Sequence, residues 1–395
     1  MERIARRKRS ELERRMKLFP AVALLGQGQV GKTALAWEIA KSGDGYYLSL
    51  FDRRVRKMLD EKRLRPHIER VKKPFTIIDM AGSREDLFPA LVEIVEDRKS
   101  RGDGESCLLL IEAGSMRRGR RLKKQMKGQL DCLQLDPLDV SEIDLANEID
   151  TLWLRGGLPE VFNKESNQIS LECLQDMLMI LADSILPAGC TKRPWQGQML
   201  RLLRSLAASQ GQAFNVSSLG KEMGLSKRSV VQCVRLLEDM GIVRMLPPYG
   251  QGKAAGLARE PRIYFQDSGT LHSILHVESL SSMSEDLAKR SWQGFAIENI
   301  LRHAEQPVSA GFYCSKKGVE AELVIHSRRC GPWAIGIRKG APEAAPGFSR
   351  AVKEIKPVRS FLVHSLRRCS RSQSRQGVET LPLLEMCKEV ACHFG

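Results

Sequence analysis

The sequence predicts an α/β fold: a P-loop NTPase-type domain with a parallel sheet, then a helical and winged-helix module, then a small α/β domain. Three observations carry this expectation. Residues 26–33 read GQGQVGKT, a full G-x-x-x-x-G-K-[ST] motif set between an apolar run and a helical one. From Phe19 to about Leu138, short apolar runs alternate with helical stretches, the order expected of a parallel sheet. At 395 residues the chain is too long for one ordinary core, so two or three domains are expected.

The first segment, residues 1–18, is basic, and no apolar h-region follows it, so a secretory signal is not expected. Glu2, Glu11 and Glu13 set it apart from a mitochondrial presequence. It reads as a solvated basic helix beside the first strand. Ala21–Leu25 is that strand, and Ala34–Ala40 lies in a helix without Pro or Gly. Between them Gly26, Gln27, Gly28, Gln29, Val30 and Gly31 turn successive backbone N–H groups toward phosphate oxygens. The helix N-terminus adds its positive dipole end, and Ala34 lies in its first turn. Lys32 can reach the β- and γ-phosphates, and the Thr33 hydroxyl can ligate Mg²⁺. The expected ligand is a nucleoside triphosphate.

Four more apolar runs follow, Tyr46–Leu50, Phe75–Ile78, Cys107–Ile111 and Leu130–Leu135. The second of these is followed by Asp79, the form of a Walker B strand whose carboxylate holds Mg²⁺ beside the phosphate loop. No apolar run approaches the ~20 residues of a membrane span. The ten cysteines include no C-x-x-C pair, so reduced thiols in a cytoplasmic protein are expected. Cys387, Cys392 and His393 match no standard zinc spacing. The net charge of +16 gathers in the N-terminal segment, in Met116–Lys127 and in Leu366–Arg375, and such clusters attract polyanions, nucleic acid first.

Nearly the whole chain resembles the AAA-type (AAA+) prokaryotic P-loop ATPases that carry a C-terminal domain of unknown function. The resemblance begins at Phe19–Gly26 running into GQGQVGKTALA and returns at Asp86–Leu91, Pro137–Glu142 and Leu152–Pro159. It continues through Leu236–Tyr249, Tyr264–Leu271 and Ser291–Glu298. It implies ATP and Mg²⁺ as ligands, with Thr33 and Asp79 at the metal. Three elements of hydrolysis depart from the family pattern. Its Walker B strand ends IIDE, whereas this one ends Ile78-Asp79-Met80, and a thioether cannot orient water. Its LAGR segment carries a candidate trans-acting arginine; here the segment reads Met126-Lys127-Gly128-Gln129, with Lys127 and Arg121 nearby as alternative cations, and a homo-oligomer stays open. Its polar sensor strand reads Leu108–Ser115 without the usual Thr. Loss of an arginine finger alone lowers rates by ~10³–10⁵ where one is used. Binding with slow or absent hydrolysis is therefore expected. Two alternatives are a competent ATPase that recruits Glu112 or Asp86, and a partner-binding protein with a vestigial loop.

Residues 151–195 read as amphipathic helices leading to a connection at Pro187, Gly189 and Pro194. A helix-turn-helix pattern follows over 196–283. Leu200–Ala208 forms one helix, Asn215 or Ser217 caps a second through Met223, Gly224-Leu225 turns, and Ser226 caps a third through Met240. That third helix leaves Lys227, Arg228, Gln232 and Arg235 outward, and Ile242–Leu246 with Arg262–Phe265 reads as a wing around Lys253 and Arg259. The layout would present the third helix to duplex DNA, though many such modules serve protein contacts. From 284 onward the chain resembles the restriction-endonuclease-like domain found at this place in the family. Glu298, Glu320 and Glu322 fit its acidic positions, but the family's AIEIK reads Ala334-Ile335-Gly336-Ile337-Arg338. Gly336 offers no metal ligand, so a degenerate domain without nuclease activity is expected.

Overall fold

The computed structural model describes residues 4–71, 73–79, 84–100, 107–184, 195–250, 260–305, 308–315, 319–340, 346–365, 372–373 and 377–395. Met80, Lys253 and Arg259 lie outside the described residues, as does most of the basic Leu366–Arg375 run. The chain forms two compact units, residues 1–138 with 237–241, and residues 139–236 with 242–395.

In the first unit the order is α1 (Arg9–Leu18), β1 (Ala21–Gly26), α2 (Lys32–Ser42), β2 (Tyr46–Ser49), α3 (Arg53–Met58) and α4 (Glu61–Val71). It continues with β3 (Thr76–Asp79), α5 (Phe88–Ser100), β4 (Leu108–Ala113), α6 (Met116–Gln125) and β5 (Asp131–Gln134). All five strands run parallel, in the spatial order β2-β3-β4-β1-β5. The expected apolar runs all became strands, shifted by a residue or two. β1 is buried at every position because helices cover both faces of the sheet, which is why it reads as a continuous apolar run. Leu48, Ile78, Leu91, Leu108 and Leu110 join one core with Leu25.

β4 lies between β1 and β3, while β5 takes the other side of β1. The connection leaving β1 thus runs toward β2 at one edge of the sheet, whereas the one leaving its neighbour β4 runs the other way, to β5. In open α/β sheets ligands bind beyond the carboxyl ends of the strands at such a switch point.

α1 is less solvated than its composition suggests. Leu12 and Met16 are buried, Arg15 binds Asp131 at 2.7 Å and the Cys132 carbonyl at 3.0 Å, and Arg9 pairs with Glu13 and Glu38. Much of its positive charge is therefore already paired.

The second unit begins with helices α7 (Leu145–Arg155), α8 (Pro159–Phe162), α9 (Asn167–Ser184), α10 (Trp195–Ala208), α11 (Val216–Met223) and α12 (Lys227–Asp239). The strands β6 (Val243–Leu246) and β7 (Arg262–Phe265) pair antiparallel, and Ala213 bridges to Arg262 beside them. Helices α13 (Ser268–Ile274) and α14 (Glu285–Arg302) follow. The last layer is β8 (Ser309–Cys314), β9 (Glu320–His326), β10 (Trp333–Arg338), α15 (Pro346–Ile355), β11 (Arg359–His364), β12 (Ser372–Gln373), β13 (Val378–Pro382) and α16 (Leu383–Phe394). Its strands form a mixed sheet in the order β12-β13-β11-β10-β9-β8. The helical caps match the sequence. Asn215 accepts from Ser218 N at 2.9 Å, Gly224 closes α11 at φ +64°, and Ser226 accepts from Ser229 N at 3.1 Å.

α13 is held against α7 through Gly269, where a Cβ would stand 1.9 Å from the Arg155 carbonyl oxygen. Gly197 in α10 has open space around it. Gly269→Ala should therefore lower the urea midpoint, by about 1–3 kcal/mol of stability, whereas Gly197→Ala should leave it equal or raise it. Equal midpoints for the two variants in a urea titration would contradict the packing described.

Candidate functional site

The loop after β1 is shaped by backbone that few side chains adopt. Gly26 has φ +154°, Gln29 +64° and Gly31 +92°, and Gly31 caps α2. At Gly26 there is a second constraint. A Cβ there would stand 2.2 Å from the Leu135 carbonyl oxygen, which the residue following β5 brings alongside. Leu135 N donates to Leu25 O at 2.8 Å, and Gly114 N to Gly26 O at 3.0 Å, so the loop begins tied on both flanks. Gly28 has open space and an exposed position, leaving the loop's crest uncovered.

Lys32, 8% exposed, donates to Gly26 O at 2.9 Å and Gln27 O at 2.6 Å. Two of its three donors are thus taken by the loop itself, and one remains. Burial pushes its pKa down to about 8, against the opposing pull of Asp79 and Glu112. Thr33 Oγ1 donates to Asp79 Oδ2 at 2.9 Å, and Tyr47 OH donates to the same oxygen at 2.5 Å. Tyr47 stacks on Trp37 with ring centroids 4.8 Å apart. Burial and the Asp79 contact raise the Tyr47 pKa, keeping it a neutral donor.

Glu112, buried at the end of β4, accepts from Arg118 Nε at 3.0 Å and Nη2 at 2.8 Å. It lies in register with Leu25, one residue before the loop. Of the two acidic residues considered as substitutes for the missing Walker B Glu, Glu112 therefore reaches the site. Asp86 does not share its setting. It is exposed, and the hydrogen bonds from Arg84 hold it below the usual carboxylate range. Gln129 precedes β5 at the opposite edge of the sheet from the loop, and its amide donates to Glu96 at 3.3 Å.

Sequence reasoning missed three participants. Arg6 donates to Val30 O at 2.5 Å and Asp136 O at 2.6 Å, bracing the loop from the N-terminal segment. Tyr47 and Arg118 are the others. None has a motif of its own, since each acts by reaching across to another strand or loop.

In the second unit Lys227, Arg228, Gln232 and Arg235 are exposed on α12, with Val230, Cys233 and Val234 buried opposite. The carboxylates considered for a nuclease each take an arginine. Arg244 grips Glu298 with two hydrogen bonds, the Nη2 one at 2.9 Å; Arg262 pairs with Glu320; Arg338 pairs with Glu322 at 2.5 Å. A Cβ on Gly336 would meet Leu362 at 3.0 Å and Phe348 at 3.1 Å, so apolar side chains stand where a metal-ligating carboxylate would need room. No group of three or more potential metal ligands occurs among the described residues, which includes Cys387, Cys392 and His393. No helix among them is long and apolar enough to cross a membrane.

A profile described as "Domain of unknown function (DUF8612)" matches residues 146–281. Two mycobacterial proteins described as uncharacterized, from Mycobacterium bovis and Mycobacterium tuberculosis, are each 25% identical over 356 residues, 87% of this chain and 75% of theirs. Similar solved structures include the Walker-type ATPase PABY2304 of Pyrococcus abyssi, at 11% identity and TM-score 0.49, over 69% of this chain and 96% of that one. The Aeropyrum pernix Orc1 protein in complex with DNA matches at 14% identity and TM-score 0.31, over 71% and 95%. AMPPCP-bound DnaA from Aquifex aeolicus matches at 12% and 0.24, over 58% and 84%. At these scores the reading of the site rests on its own residues.

The Lys32 environment has a measurable signature. Below pH 8 the amine is charged in both folded and unfolded chains, and the folded state bears its full desolvation. Between about 8 and the ordinary 10.5 the folded protein sheds the proton first, so the unfolded state binds more protons. Stability of the nucleotide-free protein, relative to Lys32→Met, should rise across that window. Thermal unfolding at several pH values would show it, and a flat difference would refute the buried cation.

Proposed function

We propose that this chain binds ATP with Mg²⁺, turns it over slowly or not at all, and acts as a nucleotide-dependent switch on DNA. The observation that carries the reading is the convergence of Lys32, Thr33 and Asp79 around a loop of left-handed backbone. These residues fit the ligand by chemistry. Thr33 and Asp79 offer a hydroxyl and a carboxylate oxygen, the hard donors that Mg²⁺ prefers. Lys32 and the N-terminus of α2 offer a cation and free N–H groups to phosphate. Gly26 to Gly31 would cradle the phosphates, with Ala34 in the first turn behind them. The bound metal would neutralise phosphate charge. Lys32 would then hold the phosphates, Thr33 and Asp79 would orient the metal, and Arg6 would keep the loop's backbone in place.

In this reading the chain comprises a basic segment 1–18, an ATP-binding domain 19–150, a helical connection 151–195, a winged helix 196–283 and a degenerate nuclease-like domain 284–395. The three helices, the β6–β7 hairpin and the exposed basic residues of α12 support the winged helix and its contact with duplex DNA. The paired carboxylates and the crowding at Gly336 support the loss of nuclease chemistry.

Calorimetry with MgATP should give binding by the wild type and none by Lys32→Ala; equal affinities would sink the nucleotide reading. Met80→Glu should raise phosphate release, and adding Gln129→Arg should raise it further in an assembly of several copies. A wild-type rate near ~10 s⁻¹ would show that another group, Glu112 first, already does this work. Neutralising Lys227, Arg228 and Arg235 should lower the salt slope of duplex binding by up to about three units. An unchanged slope in anisotropy titrations would move the contact elsewhere, and cleaved DNA in Mg²⁺ or Mn²⁺ would overturn the inert C-terminal domain.

A further inference from the structure

The helix that follows the site's central strand has a charge pattern that the nucleotide reading does not use. α6 carries Arg117, Arg118, Arg120, Arg121, Lys123 and Lys124 in ten residues, with no acidic residue. Arg117 and Arg118 are held in ion pairs within the first unit. The other four are exposed, and none is in an ion pair among the described residues. Spacings of three and four residues (120 to 123, 120 to 124, 121 to 124) line these charges along one side of a helix. Two of them, Lys123 and Lys124, are in the last turn, where the helix dipole welcomes cations. The dipole gives no such reason for Arg120 and Arg121. Like charges at these spacings repel, so the stripe weakens the isolated helix and gains only when an anion lies over it.

The opposite side of α6 is fixed. Leu122 is buried, and a Cβ on Gly119 would come 2.6 Å from Leu25 Cδ1 and 3.1 Å from Cys132 Sγ. The helix therefore lies directly on β1 and β5, against the residue that precedes Gly26. In its first turn, Arg118 grips Glu112 at the end of β4. The stripe is thus anchored to the same two strands that frame the phosphate loop.

We propose that Arg120, Arg121, Lys123 and Lys124 form a nucleic-acid backbone contact on the first unit, whose affinity responds to the nucleotide through Arg118 and Glu112. The second half rests on the nucleotide reading above; the first half does not. A phosphodiester chain suits the stripe because its charges are closely spaced and because arginine pairs with phosphate through two parallel donors. A membrane surface suits it less. An interfacial helix needs an apolar face to bury in lipid, and the apolar face of α6 is already packed into the fold.

The test uses the full chain and labelled duplex and single-stranded oligonucleotides at several salt concentrations. Changing all four residues to Ala should weaken binding and reduce the salt slope by up to about three to four units. The triple variant in α12 is measured in parallel, and circular dichroism with fluorescent-ATP binding confirms that both variants are folded. An unchanged slope in the quadruple variant overturns the contact, and loss confined to the α12 variant assigns all nucleic-acid binding there. Loss of binding only to anionic phosphatidylserine vesicles, with oligonucleotide affinity intact, overturns it in favour of a membrane. MgATP should shift wild-type oligonucleotide affinity several-fold, and by linkage the oligonucleotide should shift ATP affinity equally. Arg118→Met should remove that shift while keeping both ligands; a shift that survives it overturns the route. Failure to bind fluorescent ATP at all would refute the nucleotide reading and leave the salt-slope result standing.

Discussion

The approach of the Leu135 carbonyl to Gly26 constrains everything built at the end of β1. With 2.2 Å between that oxygen and a would-be Cβ, only glycine lets β5 and its following residue lie alongside the start of the loop. Once β5 and β4 flank β1, the loop has one direction left, outward past the carboxyl edge of the sheet. There it turns over Lys32, and the amine closes the turn by bonding two of its carbonyls. The order of the sheet then decides the neighbours. Because β4 rather than β3 sits next to β1, Glu112 comes into range of Lys32 together with Asp79.

Much of this was legible in the sequence, and the pattern of what was not is physical. The inner strands β1, β3 and β4 were visible because burial on both faces forces an unbroken apolar run, and the half-buried edge strands β2 and β5 were visible as shorter runs in the same alternation with helices. The loop was visible because its left-handed turns place glycine at fixed offsets before Lys32 and Thr33, and the helix caps because Asn215, Gly224 and Ser226 announce them locally. Arg6, Tyr47, Arg118, Arg244 and Arg262 were not, since an arginine or tyrosine that finishes a site from a distant segment looks like any surface residue. Their partners lie from six to more than a hundred positions away. The N-terminal charge was visible, but not that Arg6, Arg9 and Arg15 are already engaged.

In the second unit the same principle works in reverse. A cluster of carboxylates near one sheet looks on paper like a place for a divalent cation. With guanidinium groups on Glu298, Glu320 and Glu322, the negative charge is satisfied by the protein. Burial raises the pKa of Glu322, and Arg338 opposes that rise, so the pairing keeps a buried carboxylate tolerable. Arg244 and Arg262 come from the two strands of the β6–β7 hairpin, which also hydrogen-bonds onward through Tyr249 N to Phe312 O at 2.7 Å. Two of these pairs fasten the hairpin, one to α14 through Glu298 and one to β9 through Glu320.

The ring stack beside Asp79 gives the first unit an optical property. Trp37 is 51% exposed, whereas Trp153, Trp292 and Trp333 are each 5% exposed or less. Its indole lies on Tyr47, whose hydroxyl ends on the carboxylate that would meet a metal ion. A cation drawing on that oxygen must compete with the phenol, and the phenol is in van der Waals contact with the one solvent-facing indole among these four. The protein therefore carries its own fluorophore, linked to Asp79 by one ring stack and one hydrogen bond, so a change at that carboxylate reaches an indole without any added label.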